Sequence, residues 1–190
     1  MKEATSRRET PAVRMTAPPP PGRLEAVRAG TMVEITGILY SARDRALERL
    51  FAGEEPFPFD PRGQLIYFAG PTPGRPGRPV GAMGPTSSSR MGKYISFLLE
   101  RGVRGIIGKG RLCPEGNRAL RQGRGVYFLA VGGAGALLGR RVREAEPVAG
   151  RDLGPEAVHR LAVEKFPVIV AVDAEGNSLF KSVHAGGTRK

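Results

Sequence analysis

Short apolar runs alternate with amphipathic stretches along most of this chain, and that alternation limits the folds open to it. The clearest helix pattern covers residues 86–101, where Met91, Ile95 and Leu98 fall on one face and Gly102 follows as a stop signal. Alternating strands and helices indicate an α/β domain. The predicted strands are residues 31–40, 64–69, 103–107, 126–131 and 167–172, and the other predicted helices are 44–52, 117–122, 133–141 and 155–161.

The two ends of the chain have distinct patterns. Apolar residues 167–172 and 178–183 flank the turn-forming segment 173–177, which predicts a closing hairpin and therefore a mixed sheet. Residues 1–23 are basic, carry a proline run at 18–21 and lack apolar periodicity. We therefore predict a flexible tail over 1–23 and a globular domain over 24–190.

The cysteine content excludes several kinds of site. Cys113 is the single cysteine, so the chain has no internal disulfide. An iron–sulfur cluster or a zinc–cysteine site held by this chain alone is excluded too, because each needs several thiolates. No apolar run approaches the length of a membrane span, and the N-terminal residues lack the apolar core of a secretory signal. The expected location is the cytoplasm.

The charge balance narrows the classes of partner that this chain could bind. The chain has 30 Lys and Arg against 18 Asp and Glu, a formal net charge of +12. This excess favours an anionic partner, which could be a nucleic acid, an acidic protein or a small polyanionic substrate. A basic nucleic-acid-binding module is one open interpretation, although the chain has no aromatic signature of the RNA-stacking type.

Four glycine-rich or sharply turning segments carry cations or hydroxyls where strands are predicted to end. They are residues 41–44, 84–91, 108–110 and 132–135. Ligands of α/β sheets collect at such ends, and helix N-termini attract anions. Arg90 and Lys109 could converge with the hydroxyls of Thr86 and Ser87 on a carboxylate or phosphate. The alternative is that the serines are ordinary helix caps and Arg43 an ordinary surface residue.

The order of these motifs resembles a known family. Gly-Ile-Leu-Tyr-Ser-Ala-Arg-Asp at 37–44 is followed by Tyr-Phe-Ala-Gly-Pro-Thr at 67–72, Gly-Pro-Thr-Ser at 84–87 with Arg90-Met91, and Ile-Gly-Lys-Gly at 107–110. This order is similar to the β-subunit or C-terminal domain of iron–sulfur-dependent class I fumarate hydratases and their L-tartrate dehydratase relatives. The resemblance covers about residues 25–183.

The resemblance implies a swivelling β/β/α domain with a mixed sheet, and a hydro-lyase that reversibly hydrates fumarate to malate. It also implies a partner α-subunit that carries a [4Fe–4S] cluster, with the active site between the two parts. The enzyme would then be a hetero-oligomer or dimer that is active only when assembled. An L-tartrate dehydratase subunit and a non-catalytic partner subunit are the alternatives within this family.

Carried over by motif, Arg43, Arg90 and Lys109 would bind the substrate carboxylates, with further donors at Ser87. Thr86 would be the catalytic base, activated by an acidic neighbour from the partner, because an unassisted threonine is too weak a base at neutral pH. No metal ligand is expected in this chain.

Three positions depart from the family pattern. Ser41 replaces a threonine, Leu47 a histidine and Gly92 an aspartate. The cationic positions are intact, so the resemblance still implies dicarboxylate binding.

Overall fold

The computed structural model describes residues 11–131 and 133–180. Within them, seven strands form a single mixed sheet, and four α-helices and two 3-10 turns connect them. In chain order the elements are β1 (Val13–Ala17), β2 (Met32–Ser41), α1 (Asp44–Ala52), β3 (Leu65–Tyr67), a 3-10 turn (Ser88–Arg90), α2 (Gly92–Glu100), β4 (Gly105–Gly108), α3 (Pro114–Gly123), β5 (Val126–Leu129), α4 (Gly135–Gly139), β6 (Val142–Ala149), a second 3-10 turn (Arg151–Glu156) and β7 (Val158–Val172).

The sheet closes partly on itself. The strand order is β1-β2-β3-β4-β5-β7-β6, and β2 also pairs with β7. Neighbours from β1 to β5 run parallel, whereas β7 is antiparallel to β2, β5 and β6. The β2–β7 pairing therefore links the first and last strands of the series β2-β3-β4-β5-β7, which gives a barrel-like core. The predicted α/β class with a mixed sheet is confirmed.

Side-chain alternation along the strands divides the core into two layers. In β5, Val126 and Phe128 belong to the cluster inside the curved sheet, while Tyr127 belongs to the cluster beneath the helices. Leu47 of α1 is fully buried in that outer cluster. The period-two pattern of the central strands therefore serves both layers at once. Among the described residues, no helix has the length and apolar character needed to cross a bilayer.

The prediction of a flexible tail over residues 1–23 is wrong for the part that the structure describes. Val13–Ala17 forms β1 on the edge of β2, and Met15 and Ala17 are only 3% and 6% exposed. The Ala17 carbonyl comes so close to Gly37 that a side chain at position 37 would collide with it. Gly37 also has a φ of +130°, which favours glycine. Residues 1–10 lie outside the described part.

Two predicted helices differ from the observed elements. The helix predicted from Thr86 begins only at Gly92, after the 3-10 turn Ser88–Arg90, because the preceding residues join the sheet edge. The helix predicted at 155–161 is instead the end of the second 3-10 turn and the start of β7. Pairing with strands on both sides of β7 overrides the local pattern there.

The closing hairpin is also revised. Residues 167–172 are the end of the 15-residue strand β7, and its return partner is the single bridge from Val172 to Ser178. Residues 181–183 of the predicted second strand lie outside the described residues. The edge strand β6 was not predicted, because its sequence, with three charged residues and Pro147, lacks a clear apolar alternation.

Asp173 fastens the turn after β7 to the loop before β2. Its carboxylate is 1% exposed and accepts hydrogen bonds from the backbone N–H groups of Ala29, Glu175 and Asn177 and from the Asn177 amide. Burial alone would raise the pKa of Asp173, but these donors together hold it below its usual value. Folding therefore favours the ionised carboxylate.

We expect Asp173→Ala to lower the free energy of unfolding by about 2–4 kcal/mol near neutral pH, because it leaves buried donors unpaired. The folded-state pKa is the lower one, so this contribution is complete above the ordinary aspartate pKa of about 4 and shrinks as the pH falls through the folded value. Urea unfolding at about pH 7 and about pH 3 measures both effects. The exposed Asp60, paired with Arg62, supplies the control Asp60→Ala, which should change stability little. Equal losses in the two variants would contradict the assignment.

Candidate active site

The parallel strands bring three sequence motifs to the same end of the sheet. Ser41 is in register with Tyr67, and Tyr67 with Ile107, so β2, β3 and β4 end side by side. Arg43 follows the end of β2, and Lys109 follows the end of β4. The carboxyl ends of parallel strands are the usual ligand-binding edge of α/β sheets.

The segment that carries Thr86 and Ser87 lies across this edge and not at a helix N-terminus. The N–H of Thr86 donates to the Phe68 carbonyl at 2.7 Å, and the N–H of Lys109 donates to the Thr86 carbonyl at 3.1 Å. The N–H of Ser88 donates to the Lys109 carbonyl at 3.0 Å. Thr86 and Ser87 therefore extend the sheet between the ends of β3 and β4. The sequence predicted that these two residues offer the backbone N–H donors of a helix N-terminus, and this prediction is wrong.

A carboxylate on α1 fixes Arg90. Nε of Arg90 donates to Oδ1 of Asp44 at 2.9 Å, and Nη2 donates to Oδ2 at 2.9 Å. This side-on fork occupies one edge of the guanidinium and leaves Nη1 available. Besides the Arg90 hydrogen bond, the charge of Arg43 helps to lower the pKa of Asp44, so both arginines lie near the same carboxylate.

The electrostatics of the edge favour an anion. The hydrogen bond from Arg90 is the main reason that the pKa of Asp44 lies below its usual value, so Asp44 stays ionised at neutral pH and is a poor proton acceptor. Nη2 of Arg43 lies 3.9 Å from Oε1 of Glu156, whereas its buried Nε has no hydrogen-bond partner among the described residues. With Lys109, this edge therefore has three cations. The carboxylates beside them are two, Asp44 and Glu156.

The hydroxyl of Thr86 makes no hydrogen bond to a carboxylate of the described residues, and the residue is 7% exposed. Lys109 and Arg90 are exposed. The structure therefore brings the five residues of the predicted site to one edge of the sheet: Arg43, Thr86, Ser87, Arg90 and Lys109.

Sequence reasoning missed the group that holds two of these loops together. The hydroxyl of Tyr127 on β5 donates a hydrogen bond to the Gly110 carbonyl at 2.9 Å and lies 3.0 Å from Oγ of Ser88. Ser88 is fully buried, and Gly108 has no side chain that would displace its hydroxyl. Tyr127 therefore connects the loop that carries Ser87 and Arg90 to the loop that carries Lys109. Its one signal in the sequence is a tyrosine inside an otherwise apolar strand.

Two of the departures from the family pattern are packing positions in this chain. Leu47 is fully buried in the outer apolar cluster. A Cβ at Gly92 would lie 2.5 Å from Sγ of Cys113 and 3.0 Å from Oε2 of Glu115, so α2 and α3 meet too closely there for an aspartate. Neither position supplies one of the cations at the site.

An iron–sulfur cluster does not fit the residues of this chain. Within residues 11–131 and 133–180, no group of three or more His, Cys, Asp and Glu side chains could hold a metal ion. The single cysteine, Cys113, instead accepts a hydrogen bond from the N–H of Gly116 at 3.4 Å and caps α3. Cys113 therefore has a structural role as the N-terminal cap of α3.

We expect Tyr127→Phe to lower the free energy of unfolding by about 1–3 kcal/mol, because buried Ser88 and the Gly110 carbonyl lose a partner. The amide protons of Ser88 and Lys109 should then exchange faster with solvent. Urea unfolding and hydrogen exchange measure the two effects. Tyr94→Phe is the matched control, since the Tyr94 hydroxyl makes no hydrogen bond to the described residues. Unchanged exchange at Ser88 and Lys109 would show that Tyr127 does not hold the loops.

Comparison with known proteins gives a consistent picture. A model of the family described as "Fumarase C-terminus" matches residues 1–183. The chain is 31% identical over 170 residues to the L(+)-tartrate dehydratase subunit beta of Escherichia coli strain K12, which covers 87% of this chain and 85% of that protein. It is 31% identical over 166 residues to the anaerobic class I fumarate hydratase of the same strain, covering 85% of this chain and 30% of that protein.

A third relative is the mitochondrial fumarate hydratase 1 of Leishmania major, 33% identical over 159 residues, with 80% of this chain and 29% of that protein covered. The chain thus spans about a third of the length of the fumarate hydratases that it matches. The resemblance read from the motifs is confirmed by a match over nearly all of its residues, and the chain belongs to the fumarase C-terminal domain family.

Proposed function

We propose that this chain supplies the dicarboxylate-binding half of a hydro-lyase site, in an enzyme that reversibly hydrates fumarate to malate. The observation that carries the proposal is the position of Arg43, Arg90 and Lys109 at one edge of the sheet, where the backbone of Thr86 pairs with that of Lys109. The fumarate hydratases and the tartrate dehydratase subunit among its relatives support the reaction class.

The cations would divide the work of binding a doubly negative acid. Asp44 holds Arg90 from one side, so the free Nη1 can donate to a substrate carboxylate without the side chain having to search for its position. The exposed ammonium of Lys109 would neutralise a carboxylate oxygen as a mobile point charge. Arg43 would add donors from the outer end of its guanidinium, where Nη2 has only a distant ion-pair partner in Glu156.

The hydroxyl of Thr86 would act at the carbon that exchanges a proton. A threonine hydroxyl cannot accept that proton at neutral pH unless a neighbouring acid–base group takes up its own proton. Asp44 is unsuitable, because the Arg90 guanidinium keeps the pKa of Asp44 low and the carboxylate is engaged. We therefore expect the activating carboxylate to come from a second polypeptide or domain that faces this edge.

The same second part would hold the [4Fe–4S] cluster that the resemblance implies. The single cysteine of this chain is committed to capping α3, so this chain contributes no ligand to the cluster. The assembled enzyme would be a hetero-oligomer or a dimer of two-part units.

The first test is activity with and without the partner. We expect the purified chain to show no hydration of fumarate, and to gain it when combined anaerobically with a cluster-bearing hydratase α-subunit from the same genome. Conversion of fumarate to malate, followed by the loss of fumarate absorbance, measures this. Hydration by the chain alone would contradict the shared site, and so would an assembled complex with an intact cluster and no turnover of any dicarboxylate.

The second test concerns the cations. In the assembled enzyme, Arg90→Ala and Lys109→Ala each remove a charge-assisted contact, so kcat/KM should fall by about tenfold to 150-fold. Arg75→Ala, which removes an exposed arginine from the excursion between Thr72 and Ala82, is the matched control and should leave kcat/KM within about twofold. Unchanged kinetics in both site variants would refute the assignment.

A second candidate is the dehydration of L-tartrate. It is favoured by the match over 85% of the tartrate dehydratase subunit beta, a protein of nearly this length. Turnover of fumarate, malate and the tartrate stereoisomers by the same assembled preparation distinguishes the two, since the preferred substrate has the highest kcat/KM.

A further inference from the structure

A second cationic feature lies outside the site described above. A cavity of about 540 Å³ opens between one face of α3 and the segment after β7. Three arginines line it, together with amide, hydroxyl and aromatic side chains and the apolar Leu112 and Pro114. Its main lining residues are Arg111, Asn117, Arg118, Arg121, Ser178 and Phe180. We call this feature the arginine cavity.

The arginines of this cavity come to one place through the helix repeat. Arg118 and Arg121 are three residues apart on α3, as are Pro114 and Asn117, so all four share a face of the helix. Arg111 precedes the helix by a short loop. The N-terminal end of α3, with its partial positive charge, borders the same cavity at Pro114.

Neighbouring groups position two of the three guanidinium groups. The guanidinium carbon of Arg111 lies 5.1 Å from the ring centroid of Phe180. The side chain of Arg121 lies against Gly176, where an added Cβ would be 3.0 Å from Cγ and 3.2 Å from Nε of Arg121. These contacts leave the hydrogen-bonding edges of both guanidinium groups for another partner.

The described residues do not neutralise these charges. Among them, no carboxylate lies within 4.0 Å of Arg111, Arg118 or Arg121. The nearby Glu175 is already paired with Arg28 at 2.9 Å. The sequence after Phe180, residues 181–190, contains Lys181, Arg189 and Lys190 but no Asp or Glu.

We propose that the arginine cavity binds a small anion that carries a phosphoanhydride group, such as pyrophosphate or the polyphosphate of a nucleotide. One guanidinium fork satisfies a single carboxylate, whereas linked phosphoryl groups offer enough oxygens for several forks. The cavity volume lies in the range of small-molecule sites and exceeds the needs of a lone phosphate. This ligand site goes beyond the proposed hydro-lyase function and does not depend on it.

Calorimetric titration of the full chain with pyrophosphate tests the proposal. The salt concentration should be about 0.15 M, so that loose attraction to a basic protein is screened. We expect saturable binding at one site per chain. The double variant R118Q/R121Q should weaken it by at least about tenfold, because it removes charge-assisted contacts. Inorganic phosphate and citrate are run in parallel, and both should bind at least about tenfold more weakly than pyrophosphate.

The matched control is R75Q/R78Q, which removes the same charge from exposed arginines that do not line the arginine cavity. It should change the affinity for pyrophosphate by less than about twofold. Equal weakening in the two double variants would mean that only net charge matters and would overturn the proposal. The absence of saturable binding would overturn it too, as would tighter binding of citrate. Loss of association with the α-subunit in R118Q/R121Q, with pyrophosphate binding intact, would instead make the cavity a docking surface.

Discussion

The antiparallel pairing of β2 with β7 is the contact on which the rest of this structure depends. It joins β2 to the antiparallel strand that lies beyond β5, and so curves the sheet around an apolar interior. Once the sheet is curved, the parallel strands must end side by side and the helices must cover the outside. The position of the candidate site is therefore a consequence of a strand pair that itself carries none of the predicted site residues.

Local sequence was sufficient for the elements that have one dominant pattern. Helix α1 has the predicted bounds, and the short central strands β3 and β5 lie inside the predicted apolar runs, whereas β4 ends one residue beyond the run predicted at 103–107. The apolar pattern of the sequence failed to predict elements whose neighbouring strands change along their length. Strand β7 contacts β2 throughout but exchanges β6 for β5 on its other edge, so its burial does not follow one simple period. Strand β1 was missed because its five residues sit among basic and proline-rich neighbours.

The candidate site was predictable as a set of residues but not as an arrangement. The motif resemblance named the cations, and strand order explains why they share an edge. The contacts that fix them join residues far apart in sequence: Asp44 with Arg90, and Tyr127 with Ser88. No local pattern encodes such pairs, since each partner is also an ordinary residue of its own element. The expectation that a helix begins at Thr86 failed for the same reason.

The close approach of α2 and α3 at Gly92 makes position 92 depend on two residues on the other side of the contact. An aspartate at 92 would need the space now filled by the thiol of Cys113, and its charge would lie against the carboxylate of Glu115. A side chain can therefore enter position 92 only if 113 and 115 change as well, so the three positions form one packing unit.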